Sequence, residues 1–128
     1  MKSLKIITAT VSLGLAVSLS TPVHAQAPTF QDLSHLAWTQ PKLYAHSLVK
    51  QEGWEHKHYV CLVKLWGKES AWNYKADNPH STAYGIAQML GEKSKSPVTQ
   101  IQRGIRYIKH RYDKPCAAWK FWQTRKWY

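Results

Sequence analysis

Tyr59-Val60-Cys61-Leu62-Val63-Lys64-Leu65-Trp66-Gly67-Lys68-Glu69 is the most regular stretch of the chain. Tyr59, Leu62, Val63 and Trp66 recur at i, i+3, i+4 and i+7, and Val60 and Leu65 widen the stripe. That period predicts an amphipathic helix. Glu69 follows Trp66 by three residues, Leu65 by four and Leu62 by seven. It therefore projects from the apolar side, near the helix C-terminus. There the carboxylate meets the negative end of the helix dipole and is partly desolvated. Both effects disfavour the charged form and raise the pKa. A general acid working near neutral pH needs such a setting. The plainer reading is a half-buried Glu paired with one of the many Lys or Arg.

Outward from this helix the pattern stays helical. Pro41 can open a helix that carries Leu43, Tyr44, Ser47 and Leu48, and Gly53 stops it. Asp77-Asn78-Pro79 reads as a turn. Ala83 to Leu90 is a short helical candidate. Gly91 to Pro97 is a charged loop. Thr99 or Gln100 opens a helix with Ile101, Ile105, Ile108 and Tyr112 in step. Pro115 ends it or begins a last short helix, before an aromatic and basic tail from Phe121 to Tyr128. Residues 26–40 show no clear period and read as a loosely held arm. No strand pair and no internal repeat is evident. The expected class is mainly α.

The first 25 residues read as a signal peptide. Lys2 and Lys5 form a basic start, Ile6 to Leu19 an apolar run, and Val23 and Ala25 the small-residue pattern before a cleavage site. The run is too short to span a bilayer, and no later stretch approaches 18 apolar residues. The expectation is export to the periplasm or beyond, with no transmembrane anchor once the signal is removed. The full 128 residues carry 18 Lys+Arg against 7 Asp+Glu, a net +11. Without residues 1–25 the balance is 16 against 7, or +9. About a hundred residues make one domain, not two. In an exported chain an even cysteine count favours a disulfide, and Cys61–Cys116 is the one pairing available. Closing that loop is worth roughly 4 kcal/mol in the chain-entropy picture. The alternative is two buried free thiols.

Seven Trp and seven Tyr against two Phe suit a surface that grips an amphipathic partner such as a sugar. Seven acids leave few candidates for a mechanism that needs several carboxylates. Asp77 could be a second one, although its place beside Asn78-Pro79 suits turn capping. His56-Lys57-His58 has no further clustered ligand, so neither a metal nor a cofactor is expected. The basic run from Arg103 to Lys114 could hold nucleic acid, but export argues against that partner. An anionic cell-wall polymer fits the charge better.

Glu69-Ser70 is followed by Ser81-Thr82-Ala83-Tyr84-Gly85-Ile86-Ala87-Gln88-Met89, and then by Gln100 to Ile108 with Ile, Gly, Tyr and Ile in step. This ordered set resembles the Glu-Ser motif, the Ser-x-Ala-x-Gly-x-x-Gln motif and the next helix of soluble lytic transglycosylases. The two Cys and the closing Trp127-Tyr128 are similar to a small secreted branch of that family. The resemblance covers Leu43 to Tyr128. It implies a small lysozyme-like helical domain over 41–128 and peptidoglycan glycan strands as substrate. Glu69 would be the single catalytic acid and then base, yielding a 1,6-anhydro-muramoyl product. It carries over Ser70 as support for Glu69, and Ser81, Tyr84, Gly85 and Gln88 as sugar-binding floor. Gly85, lacking a side chain, would let backbone and sugar approach closely. Small members often serve envelope-spanning machines, which makes such machinery a candidate partner. The chain departs from the pattern at Thr82, where relatives often have Gly. It departs again at Ala118-Trp119-Lys120, where the family has Ala-Tyr-Asn with a Tyr on the catalytic Glu. Either Trp119 substitutes for that Tyr, or Tyr107 serves. Two other functions stay open: a muramidase using Glu69 with Asp77, and a non-catalytic cationic wall-binding protein.

Overall fold

The computed structural model describes residues 12–18, 20, 22 and 25–128. Most of the expected signal peptide lies outside these residues. No helix among the described residues is long and apolar enough to cross a membrane. The element order is α1 (Phe30–Thr39), α2 (Pro41–Gln51), α3 (His56–Ser70), β1 (Ala83–Tyr84), β2 (Met89–Leu90), α4 (Pro97–Tyr112) and α5 (Pro115–Arg125). The chain is mainly helical, as its periodicity predicts.

The segment expected to be a loose arm is instead α1. Thr29 caps it: its hydroxyl accepts from the Asp32 N–H at 3.3 Å, while Asp32 Oδ2 accepts from the Thr29 N–H at 2.9 Å. This reciprocal pair satisfies two donors that a helix start leaves open. Leu33, Leu36 and Ala37 then fall at i, i+3 and i+4 and turn inward. The helix packs on α2 and α4. In α2 the buried face is Tyr44, Ala45 and Val49, while Leu43 stays exposed.

The decisive helix forms as its period predicts, with Leu62, Leu65 and Trp66 fully buried. Val60, expected to widen the stripe, faces solvent. Just past Glu69 and Ser70 the chain turns back. Ala71 and Trp72 both take left-handed backbone, with φ of 51° and 61°. Such residues cost free energy unless tertiary contacts hold them. Here the buried Trp72 ring packs edge-on against Trp66 with centroids 5.2 Å apart, and its indole donates to the Val63 carbonyl at 3.1 Å.

The short helix expected over Ala83–Leu90 is not one. The segment is a minimal antiparallel hairpin, with Ala83 opposite Leu90 and Tyr84 opposite Met89. The small residues Ala83, Gly85 and Ala87 read as helical locally, but two positions forbid it. Gly85 has φ of +79° and Gln88 of +50°, both outside the right-handed helix. The hairpin is clamped from α4 by the buried Gln100. Its Oε1 accepts from the Ile86 N–H at 3.0 Å, and its Nε2 donates to Tyr74 O at 3.0 Å and Ser94 O at 2.8 Å.

Helix α4 starts at Pro97, two or three residues before the expected opening, because Pro is preorganised for a first helical position. It buries Ile101, Gly104, Ile105 and Ile108. Helix α5 begins at Pro115 and takes in most of the expected tail. Cys61 of α3 and Cys116 of α5 form the expected disulfide, with Cα atoms 5.0 Å apart.

Gly104 is where α4 crosses Trp66. A Cβ there would sit 2.5 Å from the Trp66 ring and 2.7 Å from the Ala87 Cβ. Gly104→Ala should therefore destabilise the fold, by about 1–3 kcal/mol for an overpacked core. Helix propensity alone would favour Ala, so the sign of the change in a denaturant melt separates the two effects.

Candidate functional site

Glu69 ends α3 half-buried, on the floor of a cleft of about 350 Å³. Asn78, Ser81, Ala83, Gln88, Leu90, Lys126, Trp127 and Tyr128 complete its lining. The walls thus come from the α3 terminus, the turn before β1, the hairpin, and the segment after α5. A second cleft of about 270 Å³ shares Gln88, Leu90 and Tyr128 with the first and adds Ala87, Met89 and Tyr107. The two adjoin through these shared residues.

Burial raises the Glu69 carboxyl above its ordinary value, and the Trp122 indole, the smaller influence, works the other way. The plainer expectation, a Glu neutralised by Lys or Arg, does not hold. Among the described residues Glu69 has no ion pair.

Ser70 turns away from the cleft. Its hydroxyl donates to the Ile86 carbonyl at 2.6 Å and so ties the end of α3 to the hairpin. Ser81 lines the cleft and accepts from the Ala83 N–H at 3.1 Å. Gln88 lines both clefts. Its Nε2 donates to Ala76 O at 3.1 Å and Gly85 O at 2.9 Å. Tyr107 joins the second cleft, its ring centroid 5.6 Å from that of Tyr128.

Three expected roles change. Tyr84 is not among the lining residues of either cleft; Lys95 Nζ sits 3.5 Å from its ring centroid. Gly85 is required by a neighbouring side chain. A Cβ there would run into the Gln100 side chain. Trp119 does not reach the cleft. It stacks on Trp122 with centroids 5.4 Å apart and planes 12° from parallel, and Trp122, one helical turn on, is the residue beside Glu69.

Tyr128 is the largest omission from the expected site. Its hydroxyl accepts from Trp66 Nε1 at 2.7 Å and donates to the Ala87 carbonyl at 2.7 Å. One phenol thus spans α3 and the hairpin. Burial holds it well above its ordinary pKa, with the Glu69 charge adding to the shift. No spacing rule places a residue 62 positions from Trp66 against it. Lys126 and Trp127 also lie outside the expected site, for the same reason, and so does Asn78, which the sequence places only in a turn.

No group of three or more His, Cys, Asp or Glu among the described residues could hold a metal ion. The two members of His56-x-His58 point to different surroundings. His58 is buried and accepts from the Cys116 N–H through Nδ1 at 3.4 Å, whereas the His56 ring packs near His46 and Tyr59.

Comparison of this chain with protein-family models, with curated proteins and with solved structures gives no match.

The raised Glu69 pKa predicts a pH-dependent stability. Folding favours its neutral form, so the stabilisation is complete below the unfolded-state value near 4.5 and is lost as pH rises through the raised folded value. Glu69→Gln should therefore melt a few degrees higher than wild type at pH 7. The gap should close below pH 4.5. Parallel thermal melts at the two pH values check this.

Proposed function

We propose that the protein is a peptidoglycan lytic transglycosylase. The observation that supports this most directly is Glu69. It is a carboxyl raised by burial and, among the described residues, in no ion pair and the only Asp or Glu lining its cleft. Hydrolytic glycosidases generally need two carboxylates flanking the bond. A transglycosylase needs one, because the second nucleophile is the substrate's own hydroxyl.

In this reading a glycan strand lies along the two adjoining clefts. Protonated Glu69 gives its proton to the glycosidic oxygen as the muramoyl C1–O bond breaks. The N-acetylglucosamine end leaves with that proton. The Glu69 carboxylate then takes the proton of the muramoyl 6-hydroxyl as O6 closes on C1. No water is consumed, and Glu69 finishes protonated. Ser70 and Tyr128 do not touch the reacting atoms in this scheme. They hold the helix end and the hairpin at a fixed separation, which keeps the carboxyl positioned. Asn78, Ser81 and Gln88 offer polar contacts to sugar hydroxyls and amides. Trp127 and Tyr128 offer apolar ring faces.

The rival muramidase has less support. Asp77 is exposed, pairs through its backbone with Tyr84, and is not among the cleft-lining residues. Export to the periplasm or beyond is part of the proposal, and the disulfide is compatible with it.

The test is product analysis on purified peptidoglycan by mass spectrometry. Products bearing 1,6-anhydro ends, one water lighter than hydrolysis products, are expected. Reducing-end muramic acid would overturn the reading. Glu69→Gln should lower turnover at least roughly a hundredfold, as for loss of a general acid. Asp77→Asn should leave it nearly unchanged. Turnover should fall as pH rises through the raised Glu69 pKa, because the first step needs the protonated form.

A further inference from the structure

Lys126 is the only Lys or Arg among the described residues that line the Glu69 cleft. It belongs to no ion pair among them. Its backbone is unusual. Lys126 caps α5 in a left-handed conformation, φ 63°, a place where Gly is the common choice. Its N–H donates to the Trp122 carbonyl at 2.7 Å, which fixes the main chain. Its Nζ stands 5.0 Å from the centroid of the Trp122 ring. The same indole leans its N–H toward Glu69. Lys126 and Glu69 thus both lie near Trp122 and line one cleft, yet they form no ion pair with each other. This matters chemically. A direct Lys–Glu pair would keep Glu69 ionised and spoil it as an acid. The cation is left available to something that enters the cleft. Beside it, Trp127 is half exposed and lines the same opening.

We infer that Lys126 is a specificity-determining residue that receives a carboxylate of the substrate at this cleft. The inference rests on the glycan-cleaving function proposed above. Along such a strand the two sugars share an N-acetylglucosamine core. They differ by the lactyl ether on the muramoyl unit, which ends in a carboxylate wherever no stem peptide is attached. A stem peptide converts that carboxylate to an amide. Lys126 then selects peptide-free stretches of glycan over peptide-bearing ones, and over neutral polymers with the same backbone. Trp127 supplies a ring face to the sugar beside it.

Binding in a Glu69→Gln background separates recognition from turnover. The ligands are peptide-free glycan strands with free lactyl carboxylates, the same strands bearing stem peptides, and chito-oligosaccharides of equal length. The Glu69→Gln protein should bind the peptide-free strands most tightly. Adding Lys126→Gln should weaken that binding roughly twofold to fivefold, as for a partly exposed charged contact. It should leave chito-oligosaccharide affinity unchanged. Lys126→Arg should retain the preference. Lys42→Gln, which removes an equal charge on α2, should lower affinity for both anionic strands alike without altering the preference. Lys126→Gly is a second variant that suits the left-handed backbone. It should fold at least as stably as wild type and still lose the preference. An unchanged preference in both Lys126→Gln and Lys126→Gly overturns the inference. So does a loss matched by Lys42→Gln. The parent reading fails separately, if wild type yields no anhydro product. A Lys126-dependent preference in binding would then still uphold carboxylate recognition at the cleft.

Discussion

The buried indole of Trp66 is the contact on which the rest of this small domain depends. Its ring meets α4 at Gly104, the reversed chain at Trp72 and the last segment at Tyr128, and through the Tyr128 hydroxyl it is tied to the hairpin at Ala87. A ring of this size buries much apolar area, but its N–H must find a partner. The Tyr128 hydroxyl supplies it and passes the chain of bonds to the Ala87 carbonyl. Four separate pieces of chain are located by one side chain. Glu69 sits three residues on, so its position is inherited from the same anchor.

The region opposite α3 has little regular structure to stabilise it. The stretch from Trp72 to Ser96 contains two strands of two residues each. Polar side chains take over the task. Gln100 serves three backbone groups, Ser70 one, and Gln88 two. Glu92, buried in the loop, accepts from Arg103 at 2.6 Å and from the Ser94 N–H at 2.8 Å. Buried backbone groups must be paired, and irregular backbone cannot pair with itself. These side chains are the reason a floor of loops can be held in place to face the Glu69 carboxyl.

Charge is arranged by the same economy. The chain carries +11 overall, yet the cleft has one acid and one base among its described lining residues. Both lie near Trp122, and they form no ion pair with each other. A cationic exterior attracts anionic polymer over distances of about 10 Å or less at ordinary salt. Within the cleft the decisive quantities are burial and local contact.

The sequence by itself determined the helices, the face of α3, the position of Glu69 on that face, and the pairing of Cys61 with Cys116. Each follows from short-range period or from counting, which need no third dimension. It also contained α1, through Thr29, Asp32 and the Leu33-Leu36-Ala37 spacing, although the exposed Phe30 and Trp38 blur that period. Only the tertiary structure decided the hairpin. Ala83 to Leu90 has helix-compatible residues, and it is the buried Gln100 side chain, filling the space of a Gly85 Cβ and bonding the Ile86 N–H, that holds the turned form. Only the tertiary structure exchanged Trp119 for Trp122 beside Glu69 and brought Tyr128 onto Trp66. Those contacts join residues some 50 to 60 positions apart. Local period carries no information at that range; packing alone chooses which face of α5 meets α3.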